Sequence, residues 1–299
     1  MTSRVLLFGS SGFIGAHVRA ALERDPAVSE LISPGRDRYD LVEGDRDSLI
    51  ALLREIAPDA VICCIGRLGG TNEELIRANT LVAAKLLDAV EAAAPDARLV
   101  RLGSAGEYGV VPHGHAVTET GPTAPISAYG ISHLAGTSLY ALAAAGGRVD
   151  AVSVRVFNPI GPGQSAENVL GRAQLRLREA VQLRLSEIVL GPLGAYRDFV
   201  DVRDLAALLR SVVLAPSLPS PVYNAGSGNA VTVRAAVKLL AEQAGFDGEV
   251  REHGTGPQRS AAVDWIQADI GRAEAELGWV PAVDLATSIK DIWAAGAPG

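Results

Sequence analysis

A glycine-rich segment near the start of the chain has the residue types and spacing to bind a diphosphate. Residues 9–15 read GSSGFIG, directly after an apolar run at 5–8 and before an amphipathic stretch. Between a strand and a helix, the first glycine allows a tight turn, the second lets the backbone approach a pyrophosphate, and the third allows close helix packing. The phosphates then meet the helix N-terminus. The predicted dinucleotide-binding residues here are Gly9, Ser11, Gly12, Phe13, Ile14 and Gly15.

The end of the second predicted strand indicates which dinucleotide is bound. An acidic residue at this place binds the ribose 2′-hydroxyl of NAD, whereas a basic residue binds the 2′-phosphate of NADP. Arg36 occupies this place and favours NADP(H), while the neighbouring Asp37 keeps NAD(H) possible. Either Asp40 or Asp45 lies where a contact with adenine is expected, and we include Asp45 in the candidate site.

The elements that must position this segment are visible as an alternation through the first half of the chain. Short apolar runs lie at 5–8, 60–65, 98–102 and 151–156, and longer amphipathic stretches lie at 13–24, 48–56, 73–93 and 128–145. Such alternation implies a parallel sheet with right-handed crossovers. We therefore predict an α/β fold built on a Rossmann-type, doubly wound parallel sheet.

The second half of the chain is less regular and predicts a smaller C-terminal substrate-binding lobe. Helices are predicted at 168–185, 204–215, 233–244, 270–277 and 285–294, and strands at 187–190 and 222–224. We assign residues 1–157 and about 198–226 to the NAD(P)-binding domain. Residues from about 158 to 197 and from 227 to 299 are assigned to the substrate-binding lobe.

Composition excludes several classes of partner. The 299 residues are 48% hydrophobic and 20% charged, which is typical of a globular protein. A net charge of −7 argues against broad binding to nucleic acid or to anionic lipid. No apolar run reaches the about 18 residues of a membrane helix, and the first residues do not resemble a signal peptide, so we expect a cytoplasmic protein. The adjacent Cys63 and Cys64 are expected to be buried strand thiols, and no metal site is predicted.

Seven ordered segments resemble the extended short-chain dehydrogenase/reductases, a family that includes nucleotide-sugar epimerases, dehydratases and ketoreductases. They are GSSGFIG at 9–15, GSAGEYG at 103–109, YGISH at 129–133, RVFNPIGPGQ at 155–164, RDFV at 197–200, YNAGSG at 223–228 and LGWVP at 277–281. The resemblance extends from Val5 to about Trp293. Seven segments in the same order are far more specific than any one of them.

The resemblance implies hydride transfer, with Tyr129 as the acid/base and Ser104 holding the carbonyl oxygen. It also implies that Asn79 braces the backbone after the third strand, and that Asn158 and Pro159 contact the cofactor. Tyr129 and His133 are expected to contact the nicotinamide ribose. The family has a lysine where this chain has His133, so the fixed charge that stabilises the tyrosinate is missing.

The resemblance further implies a nucleotide-sugar substrate. Arg197 and Arg259 fall where related enzymes bind a pyrophosphate, and Asn168 where they present an asparagine. Ser104 and Asn158 are expected to contact the sugar as well. Sugar 4,6-dehydratases have an Asp-Glu pair directly after the catalytic Ser/Thr, but residues 105–106 are Ala-Gly here, so dehydration is not expected.

We therefore predict an NADP(H)-dependent ketoreductase of an NDP-activated deoxysugar or a related small ketone. Two alternatives stay open at this point: an NAD-dependent nucleotide-sugar epimerase, and a catalytically weak cofactor-binding or scaffold protein of the same fold. A homodimer formed through the helices predicted at 73–93 and 128–145 is expected from the family resemblance.

The replacement of lysine by His133 leads to two expectations about pH and rate. An imidazole with an ordinary pKa of about 6.5 is mostly neutral at physiological pH, so reduction should be faster than oxidation. Protonation of His133 at lower pH should then appear in the reductive rate. Substitution of His133 by lysine is expected to restore oxidation of the alcohol without loss of the fold.

Overall fold

Six parallel strands form the central sheet of the computed structural model, which describes residues 3–254 and 262–296. Numbered along the chain, they are β1 (Ser3–Phe8), β2 (Val28–Ile32), β3 (Ala60–Cys63), β4 (Arg98–Ser104), β5 (Ala151–Val156) and β9 (Val222–Ala225). Their order in the sheet is β2-β1-β3-β4-β5-β9. The chain moves from β1 to β2 and returns past β1 to β3, so the carboxyl ends of β1 and β3 form the crevice where such sheets bind ligands.

Helices cover both faces of this sheet. They are α1 (Phe13–Glu23), α2 (Arg46–Ile56), α3 (Asn72–Leu75), α4 (Val82–Ala93), α5 (Ala128–Ala145) and α7 (Val202–Leu214). Leu6 and Phe8 of β1 pack in one core with α2, α4 and α5, whereas Val5 and Leu7 pack in the other with α1 and α7. Burial on both faces explains why these strands are continuously apolar. The predicted doubly wound α/β fold is confirmed.

The smaller lobe contains two short sheets and their helices. A three-stranded sheet has the order β10-β8-β6, and a two-stranded sheet pairs β11 with β7. The strands are β6 (Asn158–Ile160), β7 (Glu187–Leu190), β8 (Tyr196–Asp201), β10 (Ala230–Thr232) and β11 (Glu249–Glu252). The helices are α6 (Val169–Leu183), α8 (Val233–Gln243) and α10 (Leu285–Ala294), which share one apolar core.

Two structural differences from the predicted domain limits have clear physical causes. Residues 198–201 belong to β8, whose backbone pairs with β6 and β10 of the smaller lobe and not with the central sheet. Helix α9 (Gly271–Leu277), predicted within the smaller lobe, packs through Ala273 against the core of the central sheet. The amphipathic stretch predicted at 73–93 is also divided, because a π-helical turn, Ile76–Leu81, separates α3 from α4.

None of the helices within residues 3–254 and 262–296 combines the length and the apolar character that crossing a bilayer requires.

Candidate active site

A cavity of about 460 Å³ lies between the central sheet and the smaller lobe. The turn after β1 contributes Gly12, Phe13 and Ile14 to its wall, and α5 contributes Tyr129 and His133. The ends of β3 and β4 complete the wall on the sheet side. The cavity therefore occupies the crevice at the carboxyl ends of the strands, as expected for a ligand site in this type of sheet.

The glycine turn has a shape that requires glycine at two positions. Gly9 has φ of +81°, a left-handed conformation that favours glycine. A Cβ at Gly15 would lie 1.9 Å from the carbonyl oxygen of Gly9, so any side chain there would push α1 away from β1. Gly12 is the N-cap of α1 and has no capping side chain, which leaves room for a phosphate at the helix N-terminus. These residues fit the pyrophosphate of a dinucleotide, whereas the exposed Ser11 does not line the cavity.

The structure separates the two arginines that follow β2. Arg38 forms an ion pair with Glu55, with an Nη2–Oε1 distance of 2.7 Å. Arg36 is exposed on the same turn, and its charge contributes to the lowered pKa of Asp40, after two backbone hydrogen bonds. Arg36 therefore remains the better candidate for a 2′-phosphate, although it lies outside the cavity wall.

Asp45 has a structural role that the sequence did not predict. Its carboxylate caps α2 by accepting hydrogen bonds from the amide and the hydroxyl of Ser48, both at 2.8 Å. The first of these bonds is the main cause of its lowered pKa. Asp45 does not line the main cavity but a separate surface depression that also includes Lys85. Its predicted contact with adenine stays a prediction.

Ser104 is held at the end of β4 by its own backbone and side chain. Its Oγ accepts a hydrogen bond from the amide of Gly106 at 3.1 Å, and its amide donates to Glu107 Oε1 at 3.0 Å. Together these bonds form a capping box around the 3-10 turn Ala105–Glu107. The hydroxyl reaches the cavity wall in a fixed position, as a group that anchors a carbonyl oxygen requires.

Tyr129 and His133 lie one turn apart on α5 and face the same cavity. Their ring centroids are 4.6 Å apart, with an angle of 60° between the ring planes. Ser127 caps the helix by accepting from the amide of Gly130, which fixes where α5 begins. The structure thus brings together the three predicted residues Ser104, Tyr129 and His133.

The environment of His133 corrects the expectation that it titrates near neutral pH. The residue is 6% exposed, and Nη2 of Arg101 lies 3.4 Å from its Nδ1. Burial is the main cause that lowers the pKa of His133 to about 3, and the charge of Arg101 acts in the same direction. A hydrogen bond with the backbone of Leu102 opposes them. His133 is therefore neutral over the whole physiological range.

This environment predicts that the imidazole ring protons of His133 keep the 1H NMR chemical shifts of a neutral imidazole between pH 8 and pH 5. An unperturbed histidine with a pKa of about 6.5 would titrate fully in that interval. Assignment of the signal through a His133→Gln variant and a pH titration of the parent protein provide the check. A His133 midpoint near neutrality would contradict the prediction.

A buried ion pair lies directly beneath Ser104. Glu107 is fully buried, and its Oε2 lies 2.8 Å from Nε of Arg155 on β5. Its other oxygen, Oε1, accepts from Thr137 Oγ1 of α5 at 2.9 Å in addition to the Ser104 amide. Glu107 thereby joins β5 to β4 and α5, the elements that carry Ser104 and Tyr129.

Asn79 braces the backbone after β3, as the family resemblance implies. It lies within the π-helical turn and is 4% exposed. Its Oδ1 accepts a hydrogen bond from the backbone N–H of Arg67 at 2.8 Å, and its Nδ2 donates to the carbonyl oxygen of Arg67 at 3.1 Å. A third bond, 3.0 Å long, runs to Ser132 Oγ on α5. Asn79 therefore fixes the loop after β3 against the helix that carries Tyr129.

The smaller lobe contributes polar groups to the opposite wall of the cavity. This wall begins at Asn158 and the adjacent Pro159. Nδ2 of Asn158 donates a hydrogen bond to the carbonyl oxygen of Asp198 at 3.1 Å. Asn168 lies at the N-cap of α6 without capping it through its side chain. Arg197 on β8 also faces the cavity, and burial lowers its pKa while the charge of Asp264 opposes the shift. Arg259, predicted as its partner, lies outside the described residues.

Arg172 is a cavity residue that the sequence reasoning missed. It follows Asn168 by one helical turn on α6 and lines the same wall as Arg197. Its Nη2 donates to the carbonyl oxygen of Glu167 at 3.1 Å. The signal that would have found it is the spacing of four residues from Asn168, which places both on one helix face.

Comparison with known proteins decides the family. The model of the NAD dependent epimerase/dehydratase family matches residues 5–226. The chain belongs to this family. The predicted resemblance to the extended short-chain dehydrogenase/reductases is confirmed, and with it the predicted class of enzyme, an NAD(P)-dependent oxidoreductase.

Two nucleotide-sugar enzymes are among the relatives that align over almost the whole chain. A dTDP-6-deoxy-L-talose 4-dehydrogenase (NAD(P)(+)) from Kitasatospora kifunensis is 36% identical over 98% of this chain and 95% of the relative. A GDP-6-deoxy-D-mannose reductase from Pseudomonas aeruginosa is 31% identical over 98% of this chain and 96% of the relative. Both relatives are nucleotide-sugar enzymes by name.

Solved structures show the same fold with nicotinamide cofactors bound. RMD from Pseudomonas aeruginosa, complexed with NADPH, has a TM-score of 0.86 at 27% identity and covers 98% of this chain and 97% of its own. The UDP-glucose 4-epimerase of Thermus thermophilus, complexed with NAD, has a TM-score of 0.83 at 25% identity and covers 98% of both chains. Both cofactor types that the sequence predicted, NADP(H) and NAD(H), therefore occur among structural neighbours.

Proposed function

We propose that this member of the epimerase/dehydratase family uses NADPH to reduce the 4-keto group of a dTDP-activated 6-deoxyhexose. The observation that carries the proposal is the 36% identity, over 98% of the chain, to a dTDP-6-deoxy-L-talose 4-dehydrogenase. A hydroxyl from Ser104, a phenol from Tyr129 and a neutral imidazole from His133 in one cavity support it. Because the hydroxyl-bearing residues Ser104 and Tyr129 are both present in the cavity, a scaffold protein without catalysis is not favoured.

In this mechanism the residues of the chain orient the ketone and deliver one proton. The glycine turn would hold NADPH by its pyrophosphate, and the bound cofactor would supply the hydride. Ser104, held by the capping box, donates a hydrogen bond to the carbonyl oxygen on which negative charge develops. Tyr129 donates its phenolic proton to the same oxygen. Asn79 keeps the loop after β3 in place against α5, so that the phenol stays aligned.

The neutral state of His133 favours reduction over oxidation. A reductase begins its cycle with a protonated tyrosine, whereas oxidation of an alcohol requires the phenolate as a base. A lysine beside the tyrosine stabilises the phenolate by its charge, and a neutral imidazole does not. Tyr129 can therefore act as the proton donor in reduction. An epimerase must both oxidise and reduce the same carbon, so this site is less suited to epimerisation.

Steady-state assays with a panel of nucleotide sugars test the proposal. Oxidation of NADPH is followed with 4-keto-6-deoxyhexoses carrying dTDP, GDP or UDP, and the product is identified by NMR. We expect the highest kcat/KM with the dTDP compound. No turnover with any of these ketones would overturn the proposal. Purification with tightly bound NAD, together with interconversion of UDP-sugars without net redox change, would replace it by the epimerase alternative.

The diphosphate of the substrate is proposed to bind between Arg172 and Arg197. Substitution of either by alanine removes charge-assisted hydrogen bonds worth about 1.5–3 kcal/mol. We expect the KM for the dTDP-sugar to rise by about 10- to 100-fold, with unchanged affinity for NADPH. Arg176→Ala is the matched control, because Arg176 lies one turn further along α6 in an exposed ion pair with Glu179. An equal effect of all three substitutions would contradict the assignment. Arg259→Ala belongs in the same series.

The cofactor preference is proposed to depend on Arg36. Arg36→Ala should weaken NADPH binding by about 10- to 100-fold and change NADH binding little, because only NADPH has a 2′-phosphate. Fluorescence titration with both cofactors measures this. Arg38→Ala serves as the control, since Arg38 is already paired with Glu55 on the same turn. Tighter binding of NADH than of NADPH by the parent protein would contradict the proposed preference.

A further inference from the structure

A buried arginine, Arg101, lies directly behind the neutral imidazole of His133. Arg101 lies on β4, three residues before Ser104, and is 4% exposed. Its guanidinium reaches across to α5, where Nη2 is 3.4 Å from Nδ1 of His133 and Nη1 is 3.3 Å from the carbonyl oxygen of the same residue. The imidazole of His133 in turn contacts the ring of Tyr129.

We propose that Arg101, acting across the imidazole of His133, supplies part of the positive charge that a lysine supplies directly beside the tyrosine elsewhere in this family. The inference rests on the proposed role of Tyr129 as proton donor. Arg101 does not touch the cavity wall, so it is a positioning residue and not a catalytic one. One imidazole separates its charge from the phenol.

The charge of Arg101 is not cancelled by a direct ion pair. In the described part of the chain no carboxylate lies within ion-pair distance of its guanidinium, which donates to Thr137 Oγ1 at 2.9 Å. Glu107, the acid beyond Thr137, is paired with Arg155. A buried cation without a direct counter-ion is costly, and such groups are concentrated at functional sites, where their charge is used.

The packing around Arg101 makes room for the guanidinium at this place. A Cβ at Gly136 would lie 2.8 Å from both Cζ and Nη2 of Arg101. The guanidinium also lies 5.7 Å from the ring centre of Tyr140, within the range of a cation–π contact. Gly136 and the ring of Tyr140, both on α5 after His133, thus form the packing site of the guanidinium.

Arg101 also determines which nitrogen of His133 carries the proton. A guanidinium has only donors, so its contact with Nδ1 is favourable when Nδ1 is the acceptor. The neutral imidazole then has its proton on Nε2. With the Leu102 backbone as the partner of the imidazole, the ring is fixed against β4 in one orientation beside Tyr129.

Two buried groups beside this pair, Cys63 and Tyr140, do not change charge near neutral pH. The ionisable side chains that face it are Tyr129 and Tyr140 of α5, Cys63 of β3, Glu107 of the 3-10 turn and Arg155 of β5. Burial raises the pKa of Cys63 to about 11, with Arg101 opposing, and also raises the pKa of Tyr140. Neither group therefore offsets the charge of Arg101 near neutral pH.

Titration of Tyr129 by the ultraviolet absorbance of tyrosinate tests the proposal without any substrate. The difference between the parent and Tyr129→Phe proteins isolates Tyr129 from the other tyrosines. Arg101→Met, which keeps the shape but removes the charge, should raise the midpoint of Tyr129 by about 1 pH unit. Arg101→Lys should restore it. Because no substrate is needed, this result stands apart from a failure of the ketoreductase assay.

Two further variants distinguish an electrostatic effect on Tyr129 from a loss of structure. Arg98→Met removes another buried arginine from the far end of β4, where it pairs with Asp150, and should leave the Tyr129 midpoint unchanged. If Arg101→Met does not fold, Arg101→Gln replaces it. An unchanged midpoint in a folded, charge-free variant would overturn the proposal, and so would an equal shift in Arg98→Met.

Moving the positive charge from position 101 to position 133 completes the test. It also changes the expected result of His133→Lys. His133→Lys alone would place an ammonium beside the guanidinium of Arg101, so we no longer expect it to restore oxidation by itself. The double variant Arg101→Met/His133→Lys moves the charge without doubling it. It should lower the Tyr129 midpoint at least to the parent value, and a midpoint that stays at the value of Arg101→Met would count against the proposal.

Discussion

Replacement of Tyr129 by phenylalanine is expected to lower the rate of ketone reduction by about 10²- to 10⁴-fold, the usual contribution of a positioned general acid. The substitution removes only the phenolic O–H, while the ring keeps its contact with His133 at a centroid distance of 4.6 Å. Affinity for NADPH should fall by no more than about 0.5–1.5 kcal/mol, the contribution of one hydrogen bond to the ribose. Single-turnover reduction and fluorescence titration measure the two quantities separately.

A matched substitution controls for nonspecific effects of removing a tyrosine hydroxyl. Tyr196 lies beside Arg197 at the smaller lobe, and its ring packs against Trp265 at a centroid distance of 5.1 Å, outside the cavity wall. Tyr196→Phe should reduce the ketone at nearly the parent rate. Full activity in Tyr129→Phe would mean that the proton comes from water, the substrate or another side chain.

The central sheet could be predicted from the sequence because burial on both faces leaves a simple pattern. The helix at 128–145 and the strand at 187–190 have the predicted bounds. Strands β10 and β11 were missed, because they are short and carry few apolar residues. Strand β8 was recognised only as the segment RDFV, since a buried Asp198 that organises the loop at 226–228 interrupts its apolar pattern.

The candidate site was predictable where it depends on strand ends and not where it depends on packing. Ser104 and Tyr129 follow from positions at the carboxyl ends of strands and from a family motif. Arg101 appears in the sequence only as a charge inside an apolar strand, and nothing in its neighbours shows that it meets α5. The lowered pKa of His133 follows from the same packing, so a sequence alone leads to the ordinary value.

The largest effect on stability is expected for Glu107→Ala. Glu107 and Arg155 form an ion pair at 2.8 Å in which neither side chain is more than 5% exposed. Removal of one partner leaves a buried charge without its counter-ion, which costs about 3–5 kcal/mol of the free energy of unfolding. Urea unfolding of the parent and variant proteins measures the loss. Glu30→Ala is the control, because the exposed pair of Glu30 with Arg4 is worth at most about 1 kcal/mol.

The same carboxylate should also affect the rate, because it links the ion pair to Ser104, the proposed anchor of the carbonyl oxygen. Glu107 Oε1 accepts from the Ser104 amide at 3.0 Å, and the alanine variant leaves that amide without its acceptor. Glu107→Gln keeps an acceptor for Ser104 and Thr137 but removes the charge that Arg155 needs. We therefore expect Glu107→Gln to lose stability while retaining more of kcat than Glu107→Ala. Equal kcat values in the two folded variants would show that Glu107 stabilises the fold without positioning Ser104.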